Sequence, residues 1–129
     1  MKAMSNISKN FYFEDASISQ NDYVAKVPIG VNDKNQLMSS LNSALQFPDY
    51  FGSNWDSLEE CLSDLEWINQ PVVWLKHGDL PLMNDEANSR IYLDVLNVVC
   101  GRFSETQEKQ LRVIFPMAYR EAIESLCNK

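Results

Sequence analysis

Three short segments of strand-forming residues alternate with amphipathic helical segments along this chain of 129 residues. Segments 23–29 and 111–115 are rich in β-branched residues, and segment 71–75, Pro-Val-Val-Trp-Leu, is wholly apolar, as in a buried parallel strand. Two helices are predicted between the first and second strands, one between the second and third, and one after the third. This order predicts an α/β fold in which helices pack on a small three-stranded parallel sheet.

The two helices between the first and second strands have clear boundaries. The first ends at Pro48, and a turn that closes with Gly52 leads directly into the second. In this turn Gly52 can take a positive φ, which is closed to most other residues. Ser53 or Asn54 caps the second helix. One face of this helix carries an apolar stripe that predicts a core contact, formed by Leu58, Cys61, Leu62 and Leu65.

The two ends of the chain lie outside this alternating pattern. The first 21 residues are polar apart from Phe11-Tyr12-Phe13, so they form either a flexible arm or a short added strand. A third long helix is predicted to end at Gly101, and apolar residues at helical spacing after Pro116 predict a last helix. We therefore expect an N-terminal extension, a main domain and a C-terminal helix that packs on the same domain, at 1–21, 22–115 and 116–129.

Composition argues against several classes of function. A net charge of -7 makes nucleic acid a poor direct partner, because lysine and arginine must neutralise its phosphates. No window approaches the ~18 apolar residues of a membrane span, and the first twenty residues lack the apolar run of a signal peptide. Cys61, Cys100 and Cys127 are odd in number and contain no CxxC pair, so we expect free thiols in a cytoplasmic protein.

Signals for catalysis are weak. His77 is the only histidine, and a lone histidine just past an apolar strand is more often structural than catalytic. The four glycines are isolated, which argues against a phosphate-binding loop. We expect no catalytic residue, no metal and no cofactor. The alternative from a different class is a small α/β enzyme with a pocket at the strand ends, where His77 works with nearby carboxylates.

The most informative functional signal is local acidity. Segment 35–75 contains no lysine, arginine or histidine but holds six acids: Asp49, Asp56, Glu59, Glu60, Asp64 and Glu66. Asp56 and Glu60 are four residues apart on the second helix, away from its apolar stripe. A solvated helix face explains this pattern without a function. The adjacent Tyr50 and Phe51, of which Phe51 is expected in the core, favour a recognition surface for a basic protein.

The turn and the second helix carry one specific motif, Phe47-Pro48-Asp49-Tyr50-Phe51-Gly52-Ser53-Asn54-Trp55-Asp56-Ser57-Leu58-Glu59-Glu60-Cys61-Leu62. This motif closely resembles the signature of the barstar family, the intracellular protein inhibitors of secreted bacterial ribonucleases such as barnase. The order of elements over residues 22–115 is also similar to that family's fold. The resemblance implies a three-stranded parallel sheet and an inhibitor that is not an enzyme.

The resemblance also implies a role for most residues of the motif. Tyr50 would stack on a catalytic side chain of the ribonuclease, and Asp56 and Glu60 would occupy the positions of substrate phosphates. Asn54 would cap and orient the helix, and Gly52 would let the backbone approach the enzyme closely. A preorganised cluster of cationic side chains in a nuclease would bind such rigid carboxylates without a bond to cleave.

Two positions depart from the barstar pattern. Glu60 stands where barstar has an aspartate, and Glu59 replaces an aromatic residue, so the sequence does not identify the cognate nuclease. We expect a cytoplasmic bacterial immunity protein, monomeric when free, whose partner is a basic ribonuclease or nuclease toxin. An alternative with the same fold is a binding module for a non-nuclease toxin or another protein. The predicted partner-binding residues are Tyr50, Gly52, Asn54, Asp56, Glu59 and Glu60.

Overall fold

The computed structural model describes residues 11–13, 18–103 and 109–127. In that part of the chain, four strands and four α-helices are present. In chain order they are β1 (Phe11–Tyr12), β2 (Tyr23–Val27), α1 (Lys34–Leu45), α2 (Trp55–Asp64), β3 (Val72–His77), α3 (Glu86–Phe103), β4 (Gln110–Ile114) and, after a 3-10 turn at Met117–Tyr119, α4 (Arg120–Cys127).

The four strands form one parallel sheet in the order β1-β4-β3-β2. The prediction of an α/β fold with a parallel sheet is confirmed, whereas the count of three strands is wrong. Phe11 and Tyr12 of the N-terminal arm add a fourth strand beside β4. Burial holds this short strand in place, because Phe11 and Phe13 are both buried and Phe11 packs edge-on against Phe115 at 5.5 Å between ring centroids.

The core lies between the sheet and the helices. Strand residues such as Val73 and Val113 belong to the same buried cluster as helix residues such as Leu41 and Leu93. The predicted apolar stripe of helix α2 packs in this cluster. Three residues of the stripe have side chains with no exposed surface: Leu58, Cys61 and Leu62. The fourth member, Leu65, is also buried but lies just past the helix, as a left-handed C-cap with φ 53°.

Strand β3 is buried on both faces, as the apolar run 71–75 predicts. Trp74 points away from the helices and has no exposed surface. Its ring contacts Tyr12 edge-on at 5.2 Å, the guanidinium of Arg112 lies 5.3 Å above it, and its Nε1 donates to Asp22 at 2.7 Å. Side chains from neighbouring strands therefore cover the sheet face opposite the helices at this point.

Some boundaries differ from the predicted ones. The third helix continues through Gly101 to Phe103, whose buried side chain anchors the last turn. A 3-10 turn separates Pro116 from α4, which packs against α3 through the buried Ile123. No helix of the described residues is long and apolar enough to cross a membrane. The division at residues 21 and 115 stays a prediction, and its terminal units include residues outside the described ones: 1–10, 14–17 and 128–129.

Candidate functional site

A closed set of hydrogen bonds holds the N-terminus of α2. Asn54 is the N-cap, and its Oδ1 accepts from the backbone N–H of Ser57 at 2.8 Å. The Oγ of Ser57 accepts in turn from the N–H of Gly52 at 2.7 Å, and Nδ2 of Asn54 donates to the carbonyl of Gly52 at 3.3 Å. These bonds satisfy a donor that the helix leaves free and join the helix rigidly to the turn.

The strained residue of this turn is Ser53, not Gly52. Ser53 has φ 55°, in the left-handed region, and Gly52 does not adopt a positive φ, so the conformational reason predicted for Gly52 is wrong. The glycine matters for space instead. A Cβ at position 52 would lie 3.3 Å from Nδ2 of Asn54 and 3.6 Å from Oγ of Ser57, where it would crowd the cap.

The two aromatic residues before the helix point in opposite directions. Phe51 packs against Phe47, with 4.6 Å between ring centroids, and Phe47 packs in turn against Trp67. Tyr50 is 51% exposed. The prediction that Phe51 is the core ring is confirmed, and its packing fixes the backbone from which Tyr50 projects.

The hydroxyl of Tyr50 donates a hydrogen bond of 2.7 Å to Oδ2 of Asp64, the last residue of α2. This bond, with a smaller effect of burial, raises the pKa of the phenol well above its usual range. Fourteen residues separate the two partners, so no periodic pattern in the sequence predicts the contact. It ties the aromatic turn to the far end of the acidic helix.

The acids of α2 fall into two classes. Asp56 and Glu60 are exposed and, within the described part of the chain, form no hydrogen bond or ion pair. Glu59 instead accepts from the guanidinium of Arg102 at 2.8 Å, and the same guanidinium donates to Oγ of Ser63 at 2.9 Å. Arg102 lies on α3, so the sequence analysis missed it. The predicted site residues thus lie together on the turn and on the exposed side of α2, with Glu59 partly neutralised.

His77 lies in the core and not in a pocket. Its ring is 3% exposed and stacks on Phe115 at 4.1 Å between centroids. Nδ1 lies 2.9 Å from the carbonyl of Ile114, which can only accept, so Nδ1 donates and Nε2 accepts from the hydroxyl of Tyr92 at 2.7 Å. Burial lowers the pKa of His77 to about 4. Because both nitrogens are bonded inside the core, His77 is a structural residue and cannot act as the base that the enzyme alternative needs.

The described ranges contain no group of three or more histidine, cysteine, aspartate or glutamate side chains that could hold a metal ion. The side chains of Asp56 and Glu60 on α2 place carboxylates at the surface. Such carboxylates can accept hydrogen bonds from, and neutralise, cationic side chains of another protein.

Comparison with known proteins gives one finding. Residues 29–116 match the protein-family model described as Barstar (barnase inhibitor). The match covers more than half of the chain and includes the turn, α2 and all the predicted site residues. It begins later than the resemblance seen in the sequence, so β1 and β2 lie outside it, as does α4. A search of curated proteins finds no match.

Proposed function

Because this chain belongs to the barstar family, we propose that it inhibits a basic ribonuclease by covering the enzyme's active site. Members of this family are inhibitors of the barnase-inhibitor type, and their partners are proteins. One observation carries the proposal for this chain. Asp56 and Glu60 are exposed one helical turn apart, have no bonding partner in the described residues, and lie on the helix that follows the exposed Tyr50.

The electrostatics of the acid pair support a cationic partner. Like charges four residues apart cost a helix about 0.2–0.5 kcal/mol, which a partner's arginine or lysine would relieve. Asp56 lies in the first turn of α2, where the helix dipole stabilises an acid, whereas Glu60 lies beyond that turn. A ribonuclease offers donors aimed at phosphate oxygens, and two fixed carboxylates accept from such donors.

The other site residues take supporting roles in this proposal. Tyr50 packs on a catalytic side chain of the enzyme, and the cap formed by Asn54 and the small Gly52 hold the turn close to it. Glu59 contributes less to binding than Glu60, because Arg102 already neutralises it. The carboxylate of Glu60 reaches about one methylene further than that of an aspartate. The chain therefore fits only ribonucleases whose active site accommodates the longer side chain.

The setting that we propose is the bacterial cytoplasm, where the protein gives immunity against a ribonuclease or nuclease toxin and is monomeric when free. Three free thiols support a reducing compartment: Cys61, Cys100 and Cys127. Burial raises the pKa of Cys100 to about 12, which keeps this thiol protonated and unreactive.

Inhibition of RNA cleavage tests the proposal. Barnase and other small basic bacterial ribonucleases are titrated with the wild type and with Asp56→Ala, Glu60→Ala and Tyr50→Ala. We expect the wild type to inhibit at least one enzyme. Asp56→Ala and Glu60→Ala should each lose about 2 to 5 kcal/mol of binding free energy, because each strands buried cationic groups on the enzyme, and Tyr50→Ala should also weaken inhibition, because it removes the ring that packs on a catalytic side chain. Glu66→Ala serves as the matched control, since it removes an acid outside α2. Equal inhibition by all five proteins, or none by any, rejects the proposal.

A further inference from the structure

Tyr50 is held more firmly than its exposure suggests. Half of its surface is open to solvent, yet its hydroxyl is bonded to Asp64 and the next residue, Phe51, is packed on the core. The ring is therefore fixed at both ends, by the backbone of the turn and by a carboxylate on α2. An exposed tyrosine without such a bond would sample several rotamers.

Asp64 occupies an electrostatically unfavourable position. It is the last residue of α2, where the helix dipole disfavours an acid, and the last turn contains no basic residue to compensate. Among the residues that the structure describes, Tyr50 is the one that forms a hydrogen bond with this carboxylate. The cost of an acid at this helix end is offset by a contact that orders a surface ring.

We propose that Asp64 is a positioning residue that holds Tyr50 in its binding orientation before the partner arrives. This inference rests on the proposed function and deepens it. A ring ordered in advance loses less conformational entropy on binding, and that saving is worth a few-fold to about tenfold in affinity. In the sequence, Asp64 is only one of the six acids that make segment 35–75 negative. The positioning of Tyr50 is an additional role that this pattern does not predict.

The bond also defines what Tyr50 offers to a partner. Its only proton is directed at Asp64, so the partner meets a ring face and an oxygen that can still accept. A planar cationic side chain with N–H donors, such as an imidazolium or a guanidinium, fits both features. Tyr50 is then selective for a cationic site and not only an apolar anchor.

The first arm of the test uses the free protein. Tyrosines labelled with ¹³C at Cζ are titrated by NMR in the wild type, Asp64→Asn, Asp64→Ala and the control Glu66→Gln, which removes one negative charge elsewhere. We expect Tyr50 to ionise at a lower pH in Asp64→Ala than in the wild type, and at the same pH in the control as in the wild type. The Cys61 thiol, which also faces Tyr50, is unchanged in all four proteins. Titration of Tyr50 at the same pH in Asp64→Ala and wild type overturns the proposal.

The second arm measures rates with the ribonuclease from the panel that the wild type binds most tightly. Asp64→Ala should dissociate up to about tenfold faster, while Asp64→Asn, whose amide oxygen can still accept from Tyr50, should keep most of the wild-type dissociation rate. Tyr50→Phe should dissociate at least as fast as Asp64→Ala, because it also removes the oxygen that accepts from the partner, and the double variant should be no worse than Tyr50→Phe alone. If the effects of the two single variants on the dissociation rate add up in the double variant, the proposal is overturned. It is also overturned if Asp64→Ala changes only the association rate, and by as much as Glu66→Gln does, because Asp64 would then act only as a charge that steers association.

The two arms separate this inference from the proposed function. If the wild type binds no ribonuclease, the inhibitor proposal fails, and the role of Asp64 in ribonuclease binding fails with it. The NMR titration still decides whether Asp64 orders Tyr50 in the free protein. If inhibition is confirmed and Asp64→Ala behaves as the control does, only the positioning role is lost.

Discussion

Polar side chains are arranged in opposite ways in two regions of this molecule, the His77–Tyr92 pair in the core and the acids on the exposed side of α2. In the core, both nitrogens of His77 have a partner. On α2, Asp56 and Glu60 have none among the described residues. Bonding capacity left unused at an accessible surface is therefore a better sign of function than an unusual residue with all its bonds made.

Helix α2 has one side in the core and the other in the candidate site, so substitutions on this one helix can test the difference between the two regions. Leu58 and Leu62 face the core with no exposed surface, whereas Asp56 and Glu60 face solvent. Substitutions on the two sides should therefore change different quantities. The buried side should affect stability, and the exposed side should affect binding.

The largest stability effect is expected on the buried side, for Leu62→Ala. Truncation of this side chain removes apolar burial and leaves a cavity, so the free energy of unfolding should fall by about 2 to 5 kcal/mol. Urea denaturation measures the loss. Binding of the ribonuclease by the folded fraction should stay unchanged. An unaltered stability combined with lost binding would mean that the two sides of α2 are assigned the wrong way round.

A second effect should come from the core histidine as pH falls. Burial lowers the pKa of His77 from 6.5 to about 4, so the unfolded chain takes up this proton first. The neutral form favours folding, and its contribution is complete above pH 6.5 and is lost as the pH falls towards 4, by about 3 kcal/mol in all. Unfolding free energies measured at several pH values in this range show the loss.

The matched control for that experiment is His77→Gln, which removes the titrating group while other acids continue to titrate. The difference between wild type and variant isolates the histidine. We expect the wild type to lose more stability than the variant between pH 6.5 and 4. Parallel losses would show that His77 is not held neutral in the core.

The smallest effect is expected at the ion pair that joins α2 to α3. Arg102 and Glu59 have side chains 54% and 37% exposed, so Arg102→Ala should change the free energy of unfolding by less than about 1 kcal/mol. Association with a basic ribonuclease should become faster, because a positive charge next to the acids is removed. Stopped-flow mixing at low salt measures this. A slower association would mean that Arg102 itself contacts the partner.

Much of the fold follows from local patterns in the sequence. The periodicity of Leu58, Cys61 and Leu62 predicts which face of α2 is buried, and the apolar run 71–75 predicts a strand covered on both sides. The fourth strand is harder to predict, because Phe11 and Tyr12 are too few to show a strand period. Its pairing depends on burial against β4, which is 98 residues or more along the chain.

The parts of the site that the sequence misses are contacts between distant residues. Glu59 and Arg102 are 43 residues apart and lie on different helices, and Tyr50 and Asp64 are 14 apart and lie on the turn and on α2, so neither contact is one between neighbours on a single helix or strand. The turn shows a different limit. Sequence rules favour Gly52 as the residue with a positive φ. In the structure Ser53, which lies between Gly52 and the N-cap Asn54, adopts this conformation instead.

The role of the α2 carboxylates in binding is tested most directly by comparing binding and stability in the isosteric variants Asp56→Asn and Glu60→Gln. Each removes one charge and little else, and dissociation constants for the inhibited ribonuclease are measured beside free energies of unfolding. We predict that affinity falls by about 2 to 5 kcal/mol while stability is unchanged, or rises slightly in Glu60→Gln because a like-charge repulsion is removed. Affinities equal to that of the wild type would contradict the account, because the exposed carboxylates of α2 would then not be the groups that bind the enzyme.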